Sequence, residues 1–335
     1  MTRPRVLVVD DSAFARTVIS RLLRSSGDID VVGTAIDGRD ALDQIARLDP
    51  DVVTLDLTMP ELDGIGVLRA LRARPRPRVI VVSVSSVETE LGVEALTLGA
   101  FDIVAKPTAL ATDRLKEIGR ELISKVLLAI PAVVPVHAAA LTPGRLAHRA
   151  TLVMIGTSTG GPQALTKLMA GLPAKLAAPV AMVLHIPVGY TEALARRLDK
   201  ISPLDVVEGQ DGMELRPGLA VLAPGGMHMH IERSGETFRA RLATLPLSAF
   251  RPSVNELFTS GAAAAGSGAL GVVLTGMGDD GLEGARAVSR GGGSLLTESA
   301  ATCVVYGMPR CVFEANLGAR AVSLDEMAVE IAKHV

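Results

Sequence analysis

The sequence predicts an α/β protein of two domains, each a doubly wound, mostly parallel sheet, and three observations carry that prediction. Short Val/Ile/Leu runs alternate with helical patterns along both halves of the chain. The runs are apolar almost throughout, as strands are when helices cover both faces of a sheet. A length of 335 residues exceeds one ordinary core, at roughly 100–200 residues per domain.

In the first half the runs are "RVLVVD", "VVGTAI", "DVVTLDL", "RVIVVS" and "FDIVAK". Helical patterns follow them from about Ser12, Gly38, Gly64 and Val87, and a last one runs to about Ala129. The second half begins with "TLVMIG", the helix "GPQALTKLMAGL", the strand "VAMVLH" and a helix from Thr191. Shorter strands are predicted at Leu219–Leu222 and Phe238–Leu242, then a helix from about Ser253, the strand "ALGVVLTG", a helix from Gly281 and a strand near Ser294. Between the halves, residues 130–149 are rich in Pro and Ala, and Pro131, Pro135 and Pro143 make a linker of limited flexibility.

The chain is 48% hydrophobic and 21% charged with a formal charge of -2, which offers no general attraction for nucleic acid or an anionic membrane surface. Two cysteines, Cys303 and Cys311, and the lack of a signal-peptide pattern ahead of Val6–Val9 point to a reducing, cytoplasmic compartment. The longest apolar stretch, Val126–Leu141, contains Pro131, Pro135 and His137. It reads against a membrane span of about 20 residues, and no membrane insertion is expected.

Ligands of doubly wound sheets bind at the carboxyl ends of the strands. Asp10 and Asp11 close the first run, Asp56 the third and Ser83 the fourth, and Lys106 with Pro107 follows the fifth. Three carboxylates at one edge repel one another, and a hard divalent cation such as Mg²⁺ relieves them through oxygen ligands. Asp56 then suits a nucleophile toward phosphorus, Lys106 a fixed charge for a phosphoryl oxygen, and Ser83 a donor to that oxygen once it arrives. The plainer reading is that such aspartates cap helices, as Asp10 or Asp11 would the helix after Ser12.

The set "VVDDS", "LDLTMPELDG", "VVSVSS" and "AKP" resembles the receiver domain of two-component response regulators, over residues 1–129. The resemblance implies a flavodoxin-like, five-stranded parallel fold and phosphorylation of Asp56 by a histidine kinase. It also implies Mg²⁺ among Asp10, Asp11, Asp56 and the Thr58 carbonyl. Ser83, with Ser85 and Ser86 close by, and Lys106 would be the switch residues.

In the second half "GTSTG" fits G-x-S-x-G, where small neighbours let a serine sit exposed on a sharp strand-to-helix turn. A capped helix start or a phosphate cradle explains five residues equally well. Its company decides the reading: His185 ends the next strand, and Asp279 and Asp280 follow a later one in "LTGMGDDG". A serine hydroxyl needs a histidine to take its proton, and the histidine needs a carboxylate to hold its tautomer. Ser158, His185 and Asp279 or Asp280 supply that set. Their chain order differs from that of α/β-hydrolases, so the motif does not import that fold. The glycines around Met277 leave backbone N–H groups accessible for an oxyanion.

His228 and His230 share one face if extended, but with no third ligand evident they read as site-lining or structural. Cys303 and Cys311 form no CxxC and read as structural thiols.

"GTSTGGPQAL", "LHIPVGYTEALARRL", "APGGMHM", "RPSVNELF" and "LTGMGDDGLEGARA" resemble the protein-glutamate methylesterases of chemotaxis response regulators, over residues 150–335. That resemblance makes Ser158 the nucleophile, His185 the base, Asp280 the orienting acid and the Met277 N–H an oxyanion donor. Asp279 stands where the family commonly has Asn, and Leu184 where Gln is frequent. It implies hydrolysis of glutamate methyl esters on the cytoplasmic domains of chemoreceptors, with methanol released, and in some members deamidation of receptor glutamine. No cofactor is expected for the esterase chemistry. Regulation would follow if the unphosphorylated receiver covers the esterase crevice. A receiver-controlled adaptor whose serine turn holds a phosphate or peptide without chemistry is the rival reading.

Overall fold

The structure, a computed structural model, describes residues 3–72, 77–83, 89–106, 112–130 and 149–335. The chain divides into two compact units, Met1–Val134 and Pro135–Val335. Residues 131–148 of the expected linker, and also Ser85, Ser86 and Pro107, lie outside the described residues.

The first unit has strands β1 (Arg5–Val9), β2 (Asp30–Ala35), β3 (Val52–Leu55), β4 (Arg78–Ser83) and β5 (Asp102–Ala105). All pair in parallel in the order β2-β1-β3-β4-β5. Helices α1 (Ala13–Ser25), α2 (Gly38–Leu48), α3 (Gly64–Leu71), α4 (Thr89–Thr97) and α5 (Thr112–Ala129) alternate with them. In α1, Ala15, Ile19 and Leu23 recur every fourth residue and form its buried stripe. The chain leaves β1 toward β2 on one side and returns to β3 on the other, so the carboxyl ends of β1 and β3 flank the crevice where the order reverses.

The second unit is built on a parallel seven-stranded sheet. Its strands are β6 (Leu152–Thr157), β7 (Val180–Leu184), β8 (Asp205–Glu208), β10 (Leu219–Leu222), β13 (Ala269–Val273), β14 (Ser294–Glu298) and β15 (Arg320–Val322). Their order is β15-β14-β13-β6-β7-β10-β8, which puts a reversal between β13 and β6. Helices α6 (Gly161–Gly171), α7 (Tyr190–Asp199), α8 (Val254–Ala265), α9 (Leu282–Arg290), α10 (Met308–Glu314) and α11 (Leu324–His334) complete the unit.

The strand expected at Phe238–Leu242 does not extend this layer. It belongs to an antiparallel sheet of β9 (Glu214–Leu215), β11 (His228–Ser234) and β12 (Thr237–Ala243), ordered β11-β12-β9. Its pattern carries the reason, since Phe238 and Ala240 are buried while Arg239 and Arg241 are exposed, the period of a strand with one wet face. Within the described residues no helix is long and apolar enough to cross a membrane.

Candidate active site

Two sites emerge, one at the carboxyl edge of each parallel sheet. In the first unit Asp10, directly after β1, and Asp56, directly after β3, are buried, and Asp11 is exposed beside them. Ligand oxygens of the three lie within 4.8 Å of one another. Lys106 Nζ sits 2.8 Å from Asp10 Oδ2 and 2.8 Å from Asp56 Oδ2. Burial pulls the Lys106 pKa down, but its bonds and charge attraction to Asp10 and Asp56 prevail and hold it above the ordinary lysine value. The Lys106 amide donates to the Ser83 carbonyl at 2.7 Å, so Ser83, fully buried at the end of β4, is tied to the lysine. Thr58 is exposed two residues beyond Asp56. This all-oxygen set around one lysine fits a hard divalent cation of the Mg²⁺ type. Helix capping falls elsewhere, since Ser12 Oγ caps α1 by accepting from the Ala15 amide. The Asp10 carboxylate accepts locally from the Ser12 amide at 2.9 Å, and the Asp10 carbonyl from Arg16 Nη1 at 2.7 Å.

In the second unit β6 and β7 pair in register to Thr157 and Leu184, so Ser158 and His185 are the next residues on neighbouring strands. The His185 amide donates to the Thr157 carbonyl at 3.1 Å and the Ser158 amide to the Thr275 carbonyl at 3.0 Å. Ser158 does not cap α6 with its side chain, because the N-cap is Gly160, at φ 80°, without a side-chain bond. A Cβ on Gly160 would lie 2.6 Å from Val304 Cβ, so both space and backbone require glycine there. Gly276 gives the serine its room, since a Cβ there would come within 2.9 Å of Ser158 Cβ.

His185 Nε2 lies 2.8 Å from Asp280 Oδ2. That carboxylate also accepts from the Val254 amide at 2.7 Å, the Asn255 amide at 3.0 Å and Ser253 Oγ at 2.8 Å. Val254 and Asn255 open α8, whose first amides have no partner within the helix, so the helix terminus grips an anion. Burial pushes the Asp280 carboxyl up, yet the bond and charge of His185 and the two amides outweigh it and leave its pKa below the ordinary aspartate value. An ionised acceptor on Nε2 keeps the proton on that nitrogen, and His185 Nδ1 is buried without a hydrogen-bond partner. Asp279 is exposed, whereas Asp280 is buried. Met277 directly follows Gly276 in the loop after β13.

Several participants escaped the sequence reading. Phe250 stacks on the His185 ring, with centroids 4.2 Å apart and planes 3° from parallel. Ser253 both caps α8 through the Glu256 amide and donates to Asp280. Its S-x-x-E spacing is the signal that marks such a cap. Glu298, fully buried, accepts the Thr275 amide at 2.9 Å, while Thr275 Oγ1 donates to the Thr159 carbonyl at 2.9 Å and accepts the Val305 amide at 2.9 Å. This network clamps the serine turn from below. His228, fully buried, takes the structural role: its Nε2 lies 2.9 Å from the Pro246 carbonyl and its Nδ1 accepts the Ser253 amide at 3.2 Å. His230 faces Glu256 at 3.8 Å instead. Among the described residues the acidic trio of the first unit is the metal-type cluster.

Comparison with known proteins follows the same division. The response regulator receiver domain family matches residues 6–118 and the CheB methylesterase family residues 153–331. Protein-glutamate methylesterase/protein-glutamine glutaminase 5 of Myxococcus xanthus is 54% identical over 99% of this chain and 98% of its own length. The corresponding protein of Nocardioides is 42% identical over 99% and 95%. The solved catalytic domain of Thermotoga maritima CheB methylesterase covers 56% of this chain and 99% of its own length, with 35% identity and a TM-score of 0.54. With both units matched in order and full-length relatives this similar, the chain belongs to the CheB methylesterase family, in the form that carries a response-regulator receiver ahead of the esterase unit.

Proposed function

We propose that this protein is a phosphorylation-activated protein-glutamate methylesterase of chemotaxis adaptation, with residues 1–129 as receiver, 130–149 as linker and 150–335 as esterase. Ser158 is the nucleophile, His185 the base and Asp280 the orienting acid. The observation that carries this reading is the His185 Nε2–Asp280 bond of 2.8 Å, which leaves a buried, unpartnered Nδ1 one residue beyond the register pair that brings His185 beside Ser158.

Nδ1 takes the proton of the Ser158 hydroxyl as Oγ attacks the ester carbonyl of a glutamyl side chain. Asp280 stabilises the imidazolium that results, and the Met277 N–H donates to the oxyanion. Return of the proton to the methoxide lets methanol leave. Water, deprotonated by Nδ1, then opens the acyl-serine to a carboxylate and restores Ser158. The same cycle with an amide releases ammonia, which is the glutaminase activity in the names of the relatives.

Asp56 accepts the phosphoryl group from a histidine kinase, breaking the donor's P–N bond and forming an acyl phosphate. Asp10, Asp11, Asp56 and the Thr58 carbonyl would hold a divalent cation of the Mg²⁺ type, which would supply charge neutralisation for the incoming phosphoryl oxygens. Lys106 pairs with one of those oxygens and Ser83 donates to another. The cytoplasmic domains of chemoreceptors are the substrates.

The test is methanol release from a methylated chemoreceptor, with and without a small phosphodonor. Wild type is stimulated, Asp56→Asn is not, and Ser158→Ala loses release by a factor on the order of 10³ or more. Near-normal release by Ser158→Ala would sink the nucleophile assignment, and signalling left intact by that substitution would favour the adaptor reading.

A further inference from the structure

The loops that border the serine hydrolase site carry an apolar surface that its chemistry does not use. The segment from Thr244 to Pro252 joins β12 to α8 and is pinned on its inner side. The Pro246 carbonyl is bonded to His228 Nε2 at 2.9 Å, the Arg251 carbonyl accepts the Gly226 amide at 3.1 Å, and Phe250 stacks on His185. Its outer side shows Leu245 at 64% and Leu247 at 81% exposure. On the loop that leaves His185, Val188 is 64% exposed and packs against the turn at Gly225 and Gly226. Arg251 is the one charged residue in the stretches 186–189, 224–227 and 244–252, and its Nη1 is turned to the Thr244 carbonyl at 3.3 Å.

Single exposed leucines are ordinary on protein surfaces. Three large apolar side chains on two loops tied to the same histidine, in stretches that hold a single charged residue, form a lip that favours an apolar partner. Ser158 is only 9% exposed, so a glutamyl ester carried on a polypeptide brings its flanking residues against the loops that hold and follow His185. We infer that Leu245, Leu247 and Val188 dock the apolar side chains that flank the target glutamyl ester on the substrate polypeptide. This inference rests on the esterase reading above and adds to it the surface by which a protein ester is preferred over a small one.

The experiment compares, in the full-length protein with and without phosphodonor, methanol release from a methylated receptor with hydrolysis of p-nitrophenyl acetate, a small activated ester. Leu245→Ser/Leu247→Ser raises KM for the receptor, and the ratio of receptor to small-ester kcat/KM falls by roughly tenfold, the effect of about 1.4 kcal/mol. Leu245→Met/Leu247→Met keeps the ratio near the parental value. Val329→Ser, which removes an exposed apolar side chain from α11, leaves it unchanged. A parental ratio in the serine variant overturns the lip, as does equal loss on both substrates. A rise in unphosphorylated activity on both substrates without a change in receptor KM also overturns it, and assigns the surface to another segment of this chain. If wild type hydrolyses the small ester but releases no methanol from receptor, the esterase reading itself fails and the lip fails with it.

Discussion

Replacing Asp280 by Asn tests the part of the site where two neighbouring aspartates compete in the sequence. Four donors converge on the Asp280 carboxylate: Ser253 Oγ and the Asn255 amide on Oδ1, and the Val254 amide and His185 Nε2 on Oδ2. A carboxylate accepts all four, whereas an amide accepts on one side only and sets its NH₂ against two donors on the other. Hydrogen bonds to charged groups contribute about 1.5–3 kcal/mol each, so losing two costs roughly 3–6 kcal/mol of stability in the esterase unit. Asp280 is 5% exposed, which leaves little solvent to screen the loss. The same change removes the anion that keeps the Nε2 tautomer, and kcat is expected to fall by about 10⁴. Methanol release and urea unfolding followed by circular dichroism measure the two effects, and Asp279→Asn, at an exposed position, is expected to match wild type in both. Asp280→Asn within tenfold of wild-type kcat, or Asp279→Asn as damaging as Asp280→Asn, would refute the assignment.

Three other perturbations follow from the same contacts. Phe250→Leu removes an aromatic stack of about 0.5–1.5 kcal/mol from the imidazole and is expected to lower kcat by roughly three- to tenfold, with Phe250→Tyr near wild type; equal kcat for Phe250→Leu refutes a positioning role. Burial raises the Glu298 carboxyl above its ordinary value of 4.5, the Thr275 amide opposing it only in part. A raised folded pKa means that the stability it contributes below pH 4.5 is lost as pH climbs through the folded value. Glu298→Gln stays neutral, so the Tm of the esterase transition is expected to exceed that of wild type progressively as pH rises above 4.5, and parallel Tm curves refute this. Lys106→Ala withdraws the cation shared by buried Asp10 and Asp56, costing the receiver about 3–5 kcal/mol without divalent metal. Added Mg²⁺ is therefore expected to raise the receiver Tm more in Lys106→Ala than in wild type, and equal shifts refute the reading.

Both doubly wound sheets were legible in the chain because strands covered on two faces must be apolar throughout, and because chemistry in such sheets gathers at strand ends. "VVD", "LDL" and "VLH" therefore announce their own positions. The antiparallel sheet was not legible as a separate layer, since β11 carries "HMHIERS" and β9 is two residues long, and neither shows a pattern strong enough to set it apart. For the site, the order of residues determined which side chains stand at the carboxyl edges. Spacing left Asp279 and Asp280 equivalent, because adjacent residues in a turn differ only in where the backbone aims them, and the family resemblance alone favoured Asp280. The distinction came from α8, far away in sequence, whose open amides and Ser253 surround Asp280 and hold it ionised. Phe250 and His228 likewise acquire their roles through contacts that no local spacing encodes. What the sequence by itself determined is the fold class and the chemistry-bearing residues at the strand ends, because both depend on local pattern. What only the tertiary structure decided is which carboxylate meets His185 and which ring holds it in place, because those depend on long-range contacts.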